Sequence, residues 1–114
     1  MNIEDVLLKE IINIMYLIKD RRYSELVKEN HLTKETEERI VDEINLYGGE
    51  ITSVDVTEYK RSFQYMRINN TNEYKVYLDF WIDNERSDLT LICDIELGLD
   101  NRIINSTIDE VHVL

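Results

Sequence analysis

The spacing of apolar residues changes from helical to strand-like near the middle of the chain. Between residues 3 and 18, apolar side chains recur every three or four positions, the period of an amphipathic helix. Over residues 74–82, and again over 89–97, they alternate with other residues, the period of a strand with one buried face. The chain contains no proline and only three glycines, so no linker is visible. The sequence therefore predicts one α+β domain over residues 1–114, with N-terminal helices packed on an antiparallel sheet.

Three helices are predicted in the first half of the chain, over residues 2–19, 23–29 and 33–47. Thr33 is the expected N-cap of the third, because its hydroxyl can accept a hydrogen bond from a free amide of the first turn. Gly48 and Gly49 are expected to end that helix, since glycine adopts the left-handed conformation without steric cost.

A curved sheet of four or five strands is predicted in the second half. The strands cover about residues 50–59, 62–68, 73–82, 88–97 and 102–113, with a polar connection over 83–88. In the third and fourth strands the apolar positions face the helices, and the opposite face carries Tyr77, Asp79, Trp81, Thr90, Ile92 and Asp94. Because that face is too aromatic for a purely solvated surface, we expect it to line a pocket or to meet a partner.

The net charge of −11 limits the kinds of partner. A surface with this much negative charge repels nucleic-acid phosphates and anionic lipid headgroups. We therefore expect neither a nucleic acid nor a membrane as partner. It fits a basic protein partner, because complementary potentials speed encounter and disfavour wrong partners. Charge that only keeps the protein soluble is the plainer interpretation.

Motifs for metal, cofactor and phosphate binding are missing from the sequence. His31 and His112 lie far apart without a ligand spacing, and the single Cys93 is expected to be a small buried hydrophobe. We therefore expect no metal, no cofactor and no enzymatic activity, although Asp79 or Asp94 beside aromatic rings could serve as a base. The N-terminus lacks a basic secretory start and no long apolar run follows, so a cytoplasmic location is expected.

The sequence of the C-terminal third carries a family resemblance. The run 80–91 (FWIDNERSDLTL) and the ending 108–114 (IDEVHVL) resemble small uncharacterised bacterial domains. Those domains combine a tryptophan, an acidic turn, an Arg-Ser-Asp-Leu-Thr-Leu strand and an ending close to Asp-Asp-Leu-His-Val-Leu. This chain has Asn84 and Glu85 where the family tends to have an acidic pair followed by glycine, so its turn is expected to differ. The resemblance implies a cystatin-like or NTF2-like fold and a role in toxin–immunity loci, and it assigns no catalytic residues.

These observations favour a non-catalytic, acidic protein-binding module, an immunity protein that masks the basic surface of a toxin. The predicted partner-binding residues are Tyr77, Asp79, Trp81, Asp83 and Glu85, with the tryptophan as the aromatic anchor.

A structural role is predicted for a second group of residues. Arg86 and Asp88 are expected to pair with Asp109 or His112 on the C-terminal strand, as a clasp that holds two strands in register.

Two other functions stay open on the sequence. The first is an NTF2-like pocket protein that binds or isomerises a small apolar ligand, with Asp79 or Asp94 as the base and Tyr77 lining the cavity. The second is a homo-oligomeric structural domain, in which the exposed sheet face forms a homodimer.

Overall fold

A computed structural model gives the structure of residues 2–114. Within these residues the elements are α1 (Ile3–Lys19), α2 (Tyr23–Lys28), α3 (Lys34–Tyr47), β1 (Ile51–Thr52), α4 (Val56–Ser62), β2 (Gln64–Arg67), β3 (Glu73–Ile82), β4 (Glu85–Leu97) and β5 (Ile103–Val113). A short 3-10 turn at Leu99–Asn101 joins β4 to β5. All strand pairings are antiparallel, in the order β1-β3-β4-β5, and β2 also pairs with β3. The predicted α+β class, with helices on an antiparallel sheet, is confirmed.

Helix α1 supplies much of the apolar core. It begins where the Asn2 side chain accepts a hydrogen bond from the Asp5 amide at 2.8 Å, which satisfies a free amide of the first turn. Its buried residues are Leu7, Leu8, Ile11, Ile12, Ile14, Met15 and Ile18. The helix contacts β3 and β4, the central strands of the sheet. Each fully buried leucine or isoleucine side chain contributes about 1.5–3 kcal/mol.

Helix α3 contacts β5, which is the last strand in the order of the sheet. The Thr33 hydroxyl accepts from the Thr36 amide at 3.2 Å, which is the N-cap contact expected from the sequence. The helix ends at Gly48, whose φ of 85° lies in the region that glycine favours. Only Ile40 of this helix is fully enclosed, so most of its surface is open to solvent.

The structure corrects the strand expected over residues 50–59. Only Ile51–Thr52 pair with β3, and Val56–Ser62 form helix α4 instead. Asp55 begins this helix as its N-cap by accepting from the Glu58 amide at 3.0 Å, and Glu58 occupies the N3 position, the spacing of the capping-box sequence pattern. The alternation of Val54 and Val56 with polar neighbours is too short to separate a period of two from a helical period.

Helix α4 occupies the gap that β1 and β2 leave along one edge of β3. Strand β1 pairs with the last two residues of β3, and β2 pairs with residues 74–77. Between them, the backbone amide of Asp79 donates to the Ser62 hydroxyl of α4 at 3.3 Å. Ser62 thus supplies a hydrogen-bond acceptor for an amide of β3 that neither β1 nor β2 reaches. Such an acceptor is needed because an unpaired amide away from water is destabilising.

The turn between β3 and β4 is tighter than the six-residue connection expected at 83–88. It consists of Asp83 and Asn84, with φ of 51° and 66°, and β4 begins at once with Glu85 rather than at residue 88. Two central residues with positive φ define a type I′ hairpin, whose twist matches that of the strands. Gly49 packs against this hairpin so closely that an added Cβ would lie 2.4 Å from Ile82 Cγ2.

Irregular register bends the sheet near this hairpin. Asp79 lies opposite Thr90 but Trp81 lies opposite Arg86, so the segment Ser87–Leu89 faces Phe80 alone. The Ser87 hydroxyl donates to the Phe80 carbonyl at 2.7 Å and accepts from the Leu89 amide at 3.2 Å. A bulge of this kind bends a strand and increases its twist.

The outer edge of β5 is partly covered by the segment that precedes α3. The His31 carbonyl accepts from the Ile108 amide at 2.8 Å, and His31 Nδ1 lies 2.7 Å from the Ser106 carbonyl oxygen. These contacts satisfy backbone groups that an edge strand otherwise leaves unpaired. None of the helices in residues 2–114 is both long enough and apolar enough to cross a membrane.

Candidate functional site

The outer face of the sheet is the side away from α1. It carries the predicted partner-binding residues of β3. Burial alternates along β3, and Lys75, Tyr77, Asp79 and Trp81 are half-buried positions between fully buried ones. The neighbouring outer positions of β4 are more enclosed than expected, since Thr90 is 2 % and Ile92 is 3 % exposed. The outer face is therefore a polar layer over a few enclosed side chains, rather than an open aromatic surface.

Asp79 lies at the centre of a hydrogen-bonded cluster on this face. Its Oδ2 accepts from Arg86 Nε at 3.0 Å, and its Oδ1 accepts from the Thr90 hydroxyl at 3.0 Å. Both carboxylate oxygens are engaged, and the hydrogen bond from the guanidinium is charge-assisted. The two contacts hold the Asp79 carboxylate against β4 and fix its orientation on the outer face.

A cleft of about 320 Å³ opens beside this cluster. It is lined by Ser62, Gln64, Tyr77, Asp79, Arg86, Asp88, Thr90 and Leu114. The cleft brings together Tyr77 and Asp79, as the sequence predicts, but most of its lining residues are polar. A pocket for a small apolar ligand is normally lined by hydrophobic and aromatic side chains. The cleft therefore presents carboxylate, guanidinium and hydroxyl groups beside the ring of Tyr77.

Lys75 forms an ion triad in the middle of the outer face. Its Nζ lies 2.9 Å from Asp109 Oδ2 and 3.1 Å from Asp94 Oδ1. The hydrogen bond to Asp109, together with that to Asp94, raises the pKa of Lys75, although burial of the ammonium opposes the shift. Asp94 is therefore occupied by Lys75, and it does not line the cleft with Asp79 and Tyr77.

The acidic hairpin end, as we call Glu50, Asp83, Glu85 and Asp88, is exposed. Asp83 Oδ1 accepts from the Glu50 amide at 3.0 Å, so one of its oxygens holds β1 to the turn. Asp88 Oδ1 accepts from the Tyr47 hydroxyl at 2.9 Å, and this hydrogen bond raises the pKa of Tyr47. These contacts use one oxygen of each carboxylate and do not cancel its charge.

Trp81 lies deeper than a solvent-facing anchor. Its ring is half-buried and packs against the apolar core cluster. Its Nε1 is buried and has no hydrogen-bond partner within residues 2–114. The side chain therefore supports the sheet as well as lining its outer face.

The predicted clasp differs from the contacts in the structure, because each of its four members has another partner. Arg86 pairs with Asp79, Asp88 with Tyr47, Asp109 with Lys75, and His112 Nδ1 lies 3.1 Å from Glu110 Oε1. The cause is the length of the strands. The last residue of β5, Val113, lies opposite Leu89, so Arg86 extends beyond the end of β5 and faces β3 instead.

No group of three or more histidine, cysteine, aspartate or glutamate side chains converges as a metal site in residues 2–114. Cys93 is fully buried, and burial raises the pKa of its thiol well above the usual value, which suppresses the reactive thiolate.

Comparison with known proteins places the chain in a family. Residues 15–114 match the family model described as a domain of unknown function, DUF7668. The chain belongs to this family. A search of the curated proteins and a search of the solved structures found no match. The match begins near the end of α1 and covers the three later helices and the whole sheet.

Proposed function

We propose that this protein is a non-catalytic binding module that recognises a basic surface of another protein through the acidic hairpin end and the adjoining cleft. The observation that carries the proposal is a group of four exposed acidic side chains at one end of the sheet. Glu50, Asp83, Glu85 and Asp88 are exposed, and Arg86, the basic residue of the hairpin, is already paired with Asp79. Because complementary charge raises association rates and disfavours wrong partners, such an end favours a cationic protein.

The cleft supports this function as a second feature. It opens beside the acidic hairpin end, since Arg86 and Asp88 line it together with Tyr77 and Asp79. Its volume of about 320 Å³ is at the lower end of the range for small-molecule pockets, and it suits one inserted side chain of a partner. A basic side chain would meet the phenol ring of Tyr77 and the nearby carboxylates.

A more specific proposal is a bacterial immunity protein that acts in the cytoplasm and neutralises a basic toxin domain. It rests on the acidity of the chain and on the likeness of the 80–91 and 108–114 segments to small bacterial domains. An inhibitor of this type works by covering a cationic surface that the toxin needs for its own substrate. Arg86 and Asp79 then hold the shape of the binding surface, and the exposed acids supply the attraction.

The test is a triple variant, D83N/E85Q/D88N, that removes charge while keeping shape. Asparagine tolerates the positive φ of position 83, and amide oxygens at positions 83 and 88 can still accept from the Glu50 amide and the Tyr47 hydroxyl. Immobilised wild-type and variant proteins are exposed to a lysate of the native host, and the stoichiometric partner is identified, purified and titrated. We expect a basic partner whose Kd rises at least about tenfold in the variant at low salt.

A matched control removes the same charge from the far end of the same two strands. In E73Q/E96Q/D100N, Glu73 and Glu96 lie opposite each other, and Asp100 has a positive φ of 56° that asparagine tolerates. This variant should bind the partner like the wild type. Equal weakening by both triple variants, or an acidic partner, would contradict the proposed site.

A further inference from the structure

Strand β2 has a free edge, where some of its backbone amides and carbonyls have no partner strand. The strand pairs with β3 on one side, and residues 2–114 provide no strand on the other. The Ile68 amide donates to the Glu73 carbonyl at 2.9 Å. Because bonding groups alternate along an antiparallel strand, Met66 and Gln64 also bond to β3, whereas Tyr65 and Arg67 direct their amides and carbonyls outward. An added strand could therefore form hydrogen bonds with the amide and the carbonyl of both Tyr65 and Arg67.

The side chains of this edge strand present an apolar group on each face of the sheet. All four residues of β2 are exposed, with Tyr65 at 41 % and Met66 at 57 %. Tyr65 lies 5.6 Å from the ring of Phe63 and 6.2 Å from that of Tyr74, measured between centroids. Tyr65 and Met66 point to opposite faces of the sheet, so a strand beside β2 would have an apolar contact on either face.

The charge of this region is opposite to that of the rest of the chain. Residues 59–72 contain Lys60, Arg61 and Arg67 and no aspartate or glutamate, within a chain of net charge −11. Arg61 lies 3.9 Å from Glu58, a long contact at a side chain that is 69 % exposed. Arg67 Nε donates to the Thr71 carbonyl, which leaves its positive charge unneutralised.

We propose that the free edge of β2 binds an extended acidic segment of another protein, which adds a strand to the sheet. Backbone hydrogen bonds to Tyr65 and Arg67 would provide the affinity common to all strand additions. The three basic side chains would select acidic segments. A second copy of this chain is disfavoured at this edge, because antiparallel pairing of β2 with itself would bring two sets of these cations together.

The site differs from the acidic hairpin end in position and in sign of charge, so the two proposals fail independently. The probe is a capped peptide of about eight residues that alternates valine and glutamate, a common strand length. Its counterpart has lysine in place of glutamate. Binding to the ¹⁵N-labelled protein is followed by NMR chemical shifts and by amide exchange.

The expected result is binding of the glutamate peptide, with slowed exchange at the amides of Tyr65 and Arg67. The lysine peptide should bind at least about tenfold more weakly at low salt. The variant K60Q/R61Q/R67Q should lose most of this preference, whereas K9Q/K28Q/K34Q, which removes three exposed cations elsewhere, should keep it.

A further variant separates backbone pairing from charge. Proline at position 65 (Tyr65→Pro) removes an outward amide without removing a bond to β3, and edge strands tolerate proline there. It should abolish the added strand while the dispersion of the remaining NMR signals shows a folded protein. Equal binding of both peptides, shifts located away from β2, or a β2-dependent dimer in light scattering would each overturn the proposal.

Discussion

The two faces of β3 share one backbone but are stabilised in different ways. On the inner face, Val76, Leu78 and Phe80 have no exposed surface and contribute through burial, which has no preferred direction. On the outer face, Lys75 and Asp79 contribute through directed contacts with β4 and β5. The stability of the inner face thus depends on how well side chains fill the core, whereas that of the outer face depends on which residues lie opposite each other on neighbouring strands. Of the two faces, only the outer one remains available to a partner.

The largest expected effect is on the inner face. Phe80→Ala should lower the free energy of unfolding by about 3–5 kcal/mol, because it removes a fully buried ring and leaves a cavity. Urea denaturation followed by circular dichroism measures the loss. A loss below about 1 kcal/mol would show that the inner face is not packed as described, and would remove the contrast between the two faces.

An intermediate effect is expected at the next residue, on the outer face. Trp81→Ala should cost about 1–3 kcal/mol, because the ring is half-buried against the core cluster. Trp81→Phe is the control: it keeps an aromatic ring and removes the buried Nε1, which has no partner in the described residues, so it should cost less. Unfolding curves in urea that rank Trp81→Ala above Phe80→Ala would place the indole in the main core.

The smallest effect concerns the ion triad and depends on pH. Lys75→Met should cost about 1 kcal/mol near neutral pH, because it leaves Asp94 and Asp109 side by side without their cation. The folded state raises the pKa of Lys75, so its contribution is fully present below the unfolded pKa of about 10.4. It is lost as the pH rises from there through the folded pKa.

The measurement for the triad is urea denaturation of wild type and Lys75→Met from neutral to alkaline pH. The difference between their free energies of unfolding should shrink above pH of about 10.4. Lys9→Met, at an exposed position of α1, corrects for the general effect of alkali. A difference that stays constant or grows with pH would show that the triad is not stabilised by the charge of Lys75.

The spacing of apolar residues identified the long helices and strands but not the short ones. The stripe of α1 and the alternation of β3 extend over enough residues to separate helix from strand. Residues 50–62 contain a two-residue strand and a seven-residue helix, each too short for either period to be visible. The capping-box pattern of Asp55 and Glu58 was the local signal that could have identified α4.

Part of the geometry of the outer face follows from the sequence. Alternation correctly placed Tyr77, Asp79 and Trp81 on one face of β3. It could not identify the partners of these residues, because a partner depends on which residue of the next strand lies opposite. The bulge at Ser87–Leu89 brings Arg86 toward Asp79, and no pattern within β4 reveals that shift. The Lys75 triad was missed for the same reason, since it joins three strands.

By itself, the sequence determined the fold class, the inward side of β3 and β4, and the negative charge of the protein. These properties follow from the period and composition of contiguous segments, which local sterics and burial act on directly. The tertiary structure alone decided which charges are neutralised and which backbone edge stays open. Both depend on strand register and order, and therefore on contacts between residues that are far apart in the chain.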